Sequence, residues 1–286
     1  MKNTLLSLII LLAPFSLLAD DSWPQPKKSG YIKLSQWWLT AREHYTDQRR
    51  VDPNVTNGLY FTSVYGEYGL TDKLTGIVYF PFFARNLFNN SVSATTGEII
   101  QEGEAINSIG DIDISFRYNL VKKGSFVLSA LVQFGIPTGM VGGGSDGALQ
   151  TGDGEFNQAL LVELGQSFRI GNTNAFAKAY FGVNNRTEGF SDEFRFGVET
   201  GATVLNEKVI LIARLSGVES FNNGTLPSEA TGTSIFANNT EFLIFGPEIG
   251  YKLTDQLGVS FGIGEPLSGR LIFANTSFNA GVFYQW

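Results

Sequence analysis

Period two governs the end of this chain. Read back from Trp286, every second residue is Tyr284, Val282, Ala280, Phe278, Thr276, Ala274 and Ile272, a mostly apolar row. The interleaved row, Gln285, Phe283, Gly281, Asn279, Ser277, Asn275 and Phe273, is mixed and turns polar toward its middle. Alternation of this kind predicts a β-strand. The stretch from Leu271 is long enough to cross a bilayer, which takes about 9–11 tilted residues. The last residue is aromatic, so this is expected to be the closing strand of an outer-membrane-type barrel; Trp stands where Phe is the commoner choice.

The same alternation recurs upstream. In 105–120, Ile112, Ile114, Phe116, Tyr118 and Leu120 oppose Asp111, Asp113, Ser115, Arg117 and Asn119. In 156–170, Leu160, Val162, Leu164, Phe168 and Ile170 oppose Asn157, Glu163, Gly165, Ser167 and Arg169. In 191–205, Phe194, Phe196, Val198 and Val204 oppose Arg195, Gly197, Glu199, Gly201 and Thr203. A soluble sandwich would bury the apolar rows, whereas a barrel in lipid turns them outward and lines its lumen with the charges.

Connections decide the architecture. Five pairs of long segments are joined by short polar turns: Thr71-Asp72-Lys73, Val121-Lys122-Lys123-Gly124, Gly171-Asn172-Thr173, Asn206-Glu207 and Thr254-Asp255. Such turns suit tight hairpins. With a first strand at Gly30–Thr40 and the terminal strand, the expectation is an all-β, antiparallel transmembrane barrel of twelve strands. Short turns then face the periplasm, and long outer loops fall near 41–56, 86–104, 137–155 and 219–239, with shorter ones near 185–190 and 265–270.

Composition fits. Of 286 residues, 16% are charged, below the usual ~25%, and the chain holds 33 Gly, 24 Phe and 10 Tyr. It has no cysteine and one histidine, which removes disulfide, thiolate and multi-histidine metal chemistry. A net charge of −7 without a Lys/Arg cluster argues against nucleic acid. No cofactor is expected. Residues 1–19 read as a signal peptide: Lys2, an apolar Leu5–Leu12 run, then Ser16-Leu17-Leu18-Ala19. Residues 20–29 read as an exposed periplasmic lead-in, and 30–286 as the barrel.

Parity nominates lumen residues. Asp113, Arg117, Glu163, Arg195, Glu199 and Arg214 point inward, joined by Glu67 and Glu248 from a recurring Glu-x-Gly pair (Glu67/Gly69, Glu163/Gly165, Glu199/Gly201, Glu248/Gly250). Inner charges of both signs are expected to pair across strands and narrow the pore, with Arg195 and Glu199 within reach of each other on one strand.

Four segments in order carry a resemblance. They are Tyr65-Gly-Glu-Tyr-Gly-Leu-Thr-Asp-Lys-Leu74, Gly110-Asp-Ile-Asp-Ile-Ser-Phe-Arg-Tyr118, Phe134-Gly-Ile-Pro-Thr-Gly139 and Thr151-Gly-Asp-Gly-Glu-Phe156. Together they resemble the outer-membrane barrels of the MetA-pathway of phenol degradation family. That resemblance implies an outer-membrane channel associated with passage of aromatic or other hydrophobic compounds.

Three functions follow as expectations. The first is a channel or uptake pore for small hydrophobic or aromatic solutes, without enzymatic activity. The second is a sealed barrel whose outer loops act as a binding or adhesion scaffold. The third is a membrane-edge hydrolase using His44, although no companion serine motif is visible. The Gly142–Gly147 run lacks the Gly-Lys-Ser/Thr ending of a phosphate loop. Asp146, Asp153 and Glu155 are oxygen donors for a hard cation at a spacing that matches no established loop. Phe and Tyr near 81–90 and Phe221 suit either a greasy entrance or an aromatic girdle. Expected partners are lipid and lipopolysaccharide, the barrel-assembly machinery through Trp286, and a small solute.

Overall fold

A computed structural model describes residues 23–93, 95–226 and 234–286; the expected signal peptide lies outside the described residues. The strands are β1 (Gly30–Tyr45), β2 (Val51–Gly69), β3 (Leu74–Phe88), β4 (Ser91–Val92), β5 (Ile99–Gln101), β6 (Glu104–Ser108), β7 (Ile112–Lys123), β8 (Phe126–Ile136), β9 (Asn157–Ile170), β10 (Thr173–Asn185), β11 (Glu193–Val204), β12 (Val209–Ser220), β13 (Glu241–Lys252), β14 (Leu257–Arg270), β15 (Ile272–Phe273) and β16 (Ser277–Gln285). All pairings between these strands are antiparallel, β3 passes over the β4–β5 hairpin to β6 and β7, β14 pairs with β16, and β1 pairs with both β2 and β16, so the sheet closes. Segments β6 and β7 together form one stave against β3, and β15 and β16 together form one against β1. The result is a closed 12-strand antiparallel barrel, with the small β4–β5 hairpin set in an outer loop. Closure removes every sheet edge, the condition for crossing lipid with strands.

At the seam, Gly30 and Trp286 exchange backbone hydrogen bonds of 3.1 and 3.0 Å. A side chain at Gly30 would collide with the Trp286 indole, whose nearest atom lies 2.4 Å from the position of a Cβ. Tyr284 and Trp286 stack on the outer wall at 6.1 Å. The outer rows are exposed: Ile114, Phe116, Tyr118 and Leu120 on one strand, Leu160, Phe168 and Ile170 on another. The intervening rows hold the buried Ser115, Arg117, Asn119 and Glu163, two of them charged. This inside-out distribution is that of a barrel solvated by lipid, and it assigns the chain to the bacterial outer membrane.

Short turns join the staves at the periplasmic end. Gly124 and Gly171 adopt φ of 60° there, and Leu205, Asn206 and Glu207 adopt φ of 52°, 56° and 63°. Left-handed backbone matches the twist of tight hairpins.

Two expectations about the outer end and one about the periplasmic end need correction. No loop spans 41–56: β1 continues to Tyr45 and β2 starts at Val51, with His44 opposite Asp52 and Glu43 opposite Pro53. Polar residues and Pro53 suggested a loop, yet above the lipid both faces of a stave meet water or packed loop, and a bulge at Ala41/Glu43 absorbs the proline. Likewise 265–270 belongs to β14. The lead-in is not exposed along its length. Trp23 and Gln25 are partly buried, and the segment folds across the periplasmic mouth.

Candidate functional site

The lumen wall carries a belt of charge on eight of its twelve staves. Around the ring it runs Lys33 on β1, Glu248 on β13, Arg214 on β12, Glu199 on β11, Lys178 on β10, Glu163 on β9, Arg117 on β7 and Glu67 on β2, with β16, β14, β8 and β3 contributing no member. The sign alternates at every step. Lys33 Nζ donates to Glu248 at 2.7 Å, and Arg214 Nη1 donates to the same carboxylate at 2.6 Å. Arg214 Nε donates to Glu199. Glu199 stands directly across from Lys178. Arg117 Nε donates to Glu163 at 2.6 Å and its Nη1 to Glu67 at 3.2 Å. Tyr65, whose hydroxyl donates to Glu67 at 2.5 Å, lies opposite Lys33 and closes the belt.

Burial explains the alternation. Arg117 is 1% exposed, Glu67 2% and Glu163 3%. A buried charge without a partner costs several kcal/mol, so each cation must be answered by a carboxylate. The guanidinium fork lets one arginine serve two staves. Glycine in the Glu-x-Gly pairs makes room: the site of a Cβ on Gly201 lies 2.3 Å from the Phe176 ring, and on Gly69 it lies 2.0 Å from the Pro26 carbonyl oxygen.

Above the belt is a cavity of about 560 Å³. Its apolar wall is Ile77, Leu131 and Leu161 with Tyr65 and Tyr180 packed against them. Asp113, Gln133, Asn157, Glu193 and Arg195 supply polar groups, and Arg117, Glu163 and Lys178 of the belt reach its lining. Arg195 does not reach Glu199. It donates through Nε and Nη2 to Glu193 at 3.0 and 2.9 Å, because Glu193 lies two residues away on the same face while Glu199 is taken by Arg214. Thus Asp113, Arg117, Glu163 and Arg195 line the cavity, and Glu67, Glu199, Arg214 and Glu248 complete the belt.

Outer loops fold inward to roof the cavity, a feature that strand parity carries no signal for. Ile235 and Phe236 of the β12–β13 connection pack on a buried cluster of Leu39, Ala41, Leu59, Phe61, Ala84 and Phe273. The β8–β9 connection is stitched to the gap between β6 and β7: Thr138 donates to the Gly110 carbonyl at 2.7 Å and Thr151 to the Ile109 carbonyl at 2.8 Å. Arg186 gathers three carboxylates, Asp153 at 2.9 Å, Glu155 at 2.6 Å and Glu193 at 2.9 Å, and lies over the Phe190 ring at 4.3 Å. Burial pushes the Asp153 and Glu155 carboxyls above the ordinary range, against the pull of Arg186. These acids face an arginine rather than an open cage, and among the described residues no group of three or more His, Cys, Asp or Glu is placed to hold a metal ion.

His44 sits at the outer end of β1 between Asp52 and Phe273, with no serine directly opposite it on either neighbouring strand. Phe82, Phe83 and Phe221 are exposed rather than turned into the lumen.

No family model matches the chain, and no curated protein matches it in sequence. Solved structures do match in fold. An outer membrane channel from Pseudomonas putida F1 aligns over 95% of this chain and 100% of its own at 14% identity, TM-score 0.62. The beta domain of the Bordetella autotransporter BrkA aligns over 91% of this chain and 100% of its own at 13% identity, TM-score 0.50. At these identities the likeness is one of fold: the chain is built as an outer-membrane barrel.

Proposed function

We propose that this barrel is a channel-type uptake pore that takes one small solute at a time through a roofed lumen site. The observation that carries this reading is the cavity of about 560 Å³, within the ~300–1,000 Å³ typical of small-ligand sites. A packed structural barrel has no need of such a space. Twelve staves fall between the eight that side chains fill and the sixteen that leave an aqueous channel. Tyr65, Tyr180, Ile77, Leu131 and Leu161 on one wall favour solutes with an aromatic or apolar body, in keeping with the sequence resemblance to the phenol-degradation barrels. In this reading Asp113, Arg117, Glu163, Arg195, Glu199, Arg214, Glu67 and Glu248 are the lumen lining, residues 30–286 are the functional unit, and Trp286 serves recognition by the assembly machinery.

Planar-bilayer current and liposome uptake of a phenolic solute test the proposal together. Current or uptake above that of empty membranes is the expected result. The second reading, a sealed scaffold presenting its loops, draws on the same ion-paired belt, which leaves little open path. It would be preferred if purified, heat-modifiable barrel gave neither current nor uptake.

A further inference from the structure

The outer wall carries an apolar trough of about 540 Å³ on the staves from β8 to β13. Its floor is a row of short side chains that stand opposite one another in register, Ala177 on β10, Thr200 on β11 and Ala213 on β12. The Thr200 hydroxyl donates to the Phe176 carbonyl at 2.9 Å, so its O–H is already paired. The next row up is long: Val198, Leu215 and Phe245 stand opposite one another and form a wall. Paired residues share a face of the sheet, and Val198 and Phe245 are exposed, so the trough faces lipid. Lys178, Glu199 and Arg214 of the belt lie behind the floor with their charges turned to the lumen. From Ala177 the short row runs on through Gln166 of β9 to Phe126, the first residue of β8. The trough therefore starts at the periplasmic rim and climbs to Phe245, seven residues from the periplasmic end of β13. Five stave spacings of ~4.8 Å make it about 24 Å long, enough for one acyl chain, which spans half of a ~30 Å hydrocarbon core. Its rim end is positive and polar. Lys123 pairs with Phe126, which puts it on the same outer face, and it is exposed. Its long stem lets the ammonium reach headgroup level. Beside it the Gln166 amide donates to Ser125 Oγ and, at 2.8 Å, to the Ser167 carbonyl. The Ser125 O–H is left to donate outward.

We propose that this trough binds one anionic phospholipid of the periplasmic leaflet, with its phosphate at Lys123 and Ser125 and one acyl chain laid over Ala177, Thr200 and Ala213. Short side chains leave the chain a bed, and the long row above holds it there. Charge selects the headgroup: a zwitterionic lipid carries its own cation, whereas an anionic one takes Lys123 as its counter-charge. A second barrel is a poorer occupant. A two-fold axis in a membrane runs along the bilayer normal, so a second copy would bring its own Lys123 to the same depth at the same rim, like charge toward like. The site lies on the far side of the wall from the cavity, and it does not rest on the channel reading.

Purified barrel in detergent is mixed with equimolar dioleoylphosphatidylglycerol and dioleoylphosphatidylcholine, and the lipid it retains is read by native mass spectrometry. One phosphatidylglycerol per barrel is the expected result, favoured about fivefold over phosphatidylcholine, which is what one lysine contributes near an anionic lipid. Lys123→Gln should remove that preference and leave residual binding of both lipids. Ala177→Leu with Ala213→Leu fills the trough and should weaken retention of both lipids about tenfold, in a barrel whose heat-modifiable gel mobility shows that it has assembled. If the double variant does not assemble, Ala213→Leu alone carries the test. Retention of neither lipid by the parent, equal retention of the two, or phosphatidylglycerol binding untouched by a filled trough overturns the site. A parent dimer that the filled trough dissolves, with no lipid retained, gives the trough to a second copy and overturns it equally.

Discussion

The belt and the roof are both arginine–carboxylate networks, and they are built for different tasks. In the belt every member stands on a strand and signs alternate; Lys33, Arg117 and Arg214 are ion-paired to the four carboxylates, and Lys178 stands across from Glu199. In the roof, Arg186 and Arg195 answer Asp153, Glu155 and Glu193, an excess of acid carried partly on loops. Strand-borne charge can be placed to within the sheet repeat, so complete pairing is achievable where no water can help. Loop-borne charge sits nearer solvent, where an unmatched carboxylate costs less, and the arrangement can loosen without parting the barrel.

The sharpest way to break this contrast is at Arg117. Arg117→Ala leaves Glu67 and Glu163 buried without their cation, and a cost of about 3–5 kcal/mol is expected. Denaturant unfolding followed by gel mobility should show it as a large loss of barrel stability. Replacing the triad with Arg117→Met, Glu67→Gln and Glu163→Gln should recover most of the loss, since the cost lies in the orphaned charges. If the single variant were as stable as the parent, the belt would not be holding the wall.

Arg186→Ala tests the roof. It releases three carboxylates at once, but Asp153 and Glu155 stand on a connection that can shift toward water, and Glu193, at the end of β11, keeps Arg195. The expected cost is about 1–3 kcal/mol and local, seen as faster proteolysis of the 137–156 and 221–240 connections with the thermal transition of the barrel nearly unmoved. A barrel-wide loss equal to that of Arg117→Ala would erase the distinction between the two networks.

Arg195 lies on the boundary. Its side chain is 27% exposed and its partner Glu193 keeps Arg186. Arg195→Ala should therefore cost no more than about 1 kcal/mol while widening the cavity, so current or solute leak should rise in an assembled barrel. Lower stability with unchanged permeability would make Arg195 a staple instead.

Much of the belt is legible in the sequence, and the reason it is not wholly so is geometric. A period of two assigns a face, so Glu67, Arg117, Glu163 and Glu199 could be placed inward from local alternation alone. Parity says nothing about partners, which depend on stagger between staves. Arg214 reaches both Glu199 and Glu248, and Lys33 reaches Glu248 only because the barrel closes and brings the start of the chain beside its end. Arg195 looked near Glu199 along the strand, yet a closer carboxylate at Glu193 takes it. The roof and the lead-in left no periodic trace: Ile235, Phe236, Trp23 and Gln25 lie in segments where turn residues and prolines hide inward packing. Polarity misled at 41–56, because a stave that rises above the lipid no longer needs an apolar face.

The smallest expected effect is the response of the roof to acid. Burial raises the carboxyls of Asp153 and Glu155 in the folded loop against the pull of Arg186. A carboxyl with a raised folded value binds its proton more tightly folded than unfolded. Its contribution is therefore fully present below the ordinary carboxylate range of about 4 and is lost as pH rises through the folded values. The roof should be held most firmly in mild acid and loosen toward neutrality. A spin label at Ala148→Cys, on the exposed tip of the same connection, should become less mobile as pH falls from about 7 to about 4. With Arg186→Ala in the same chain the opposing pull disappears, burial acts alone, and the transition should move to higher pH. A label at Ala148→Cys that grows more mobile in acid would mean that the ion pairs to Arg186 outweigh burial, and that the roof is held by charge in the same way as the belt.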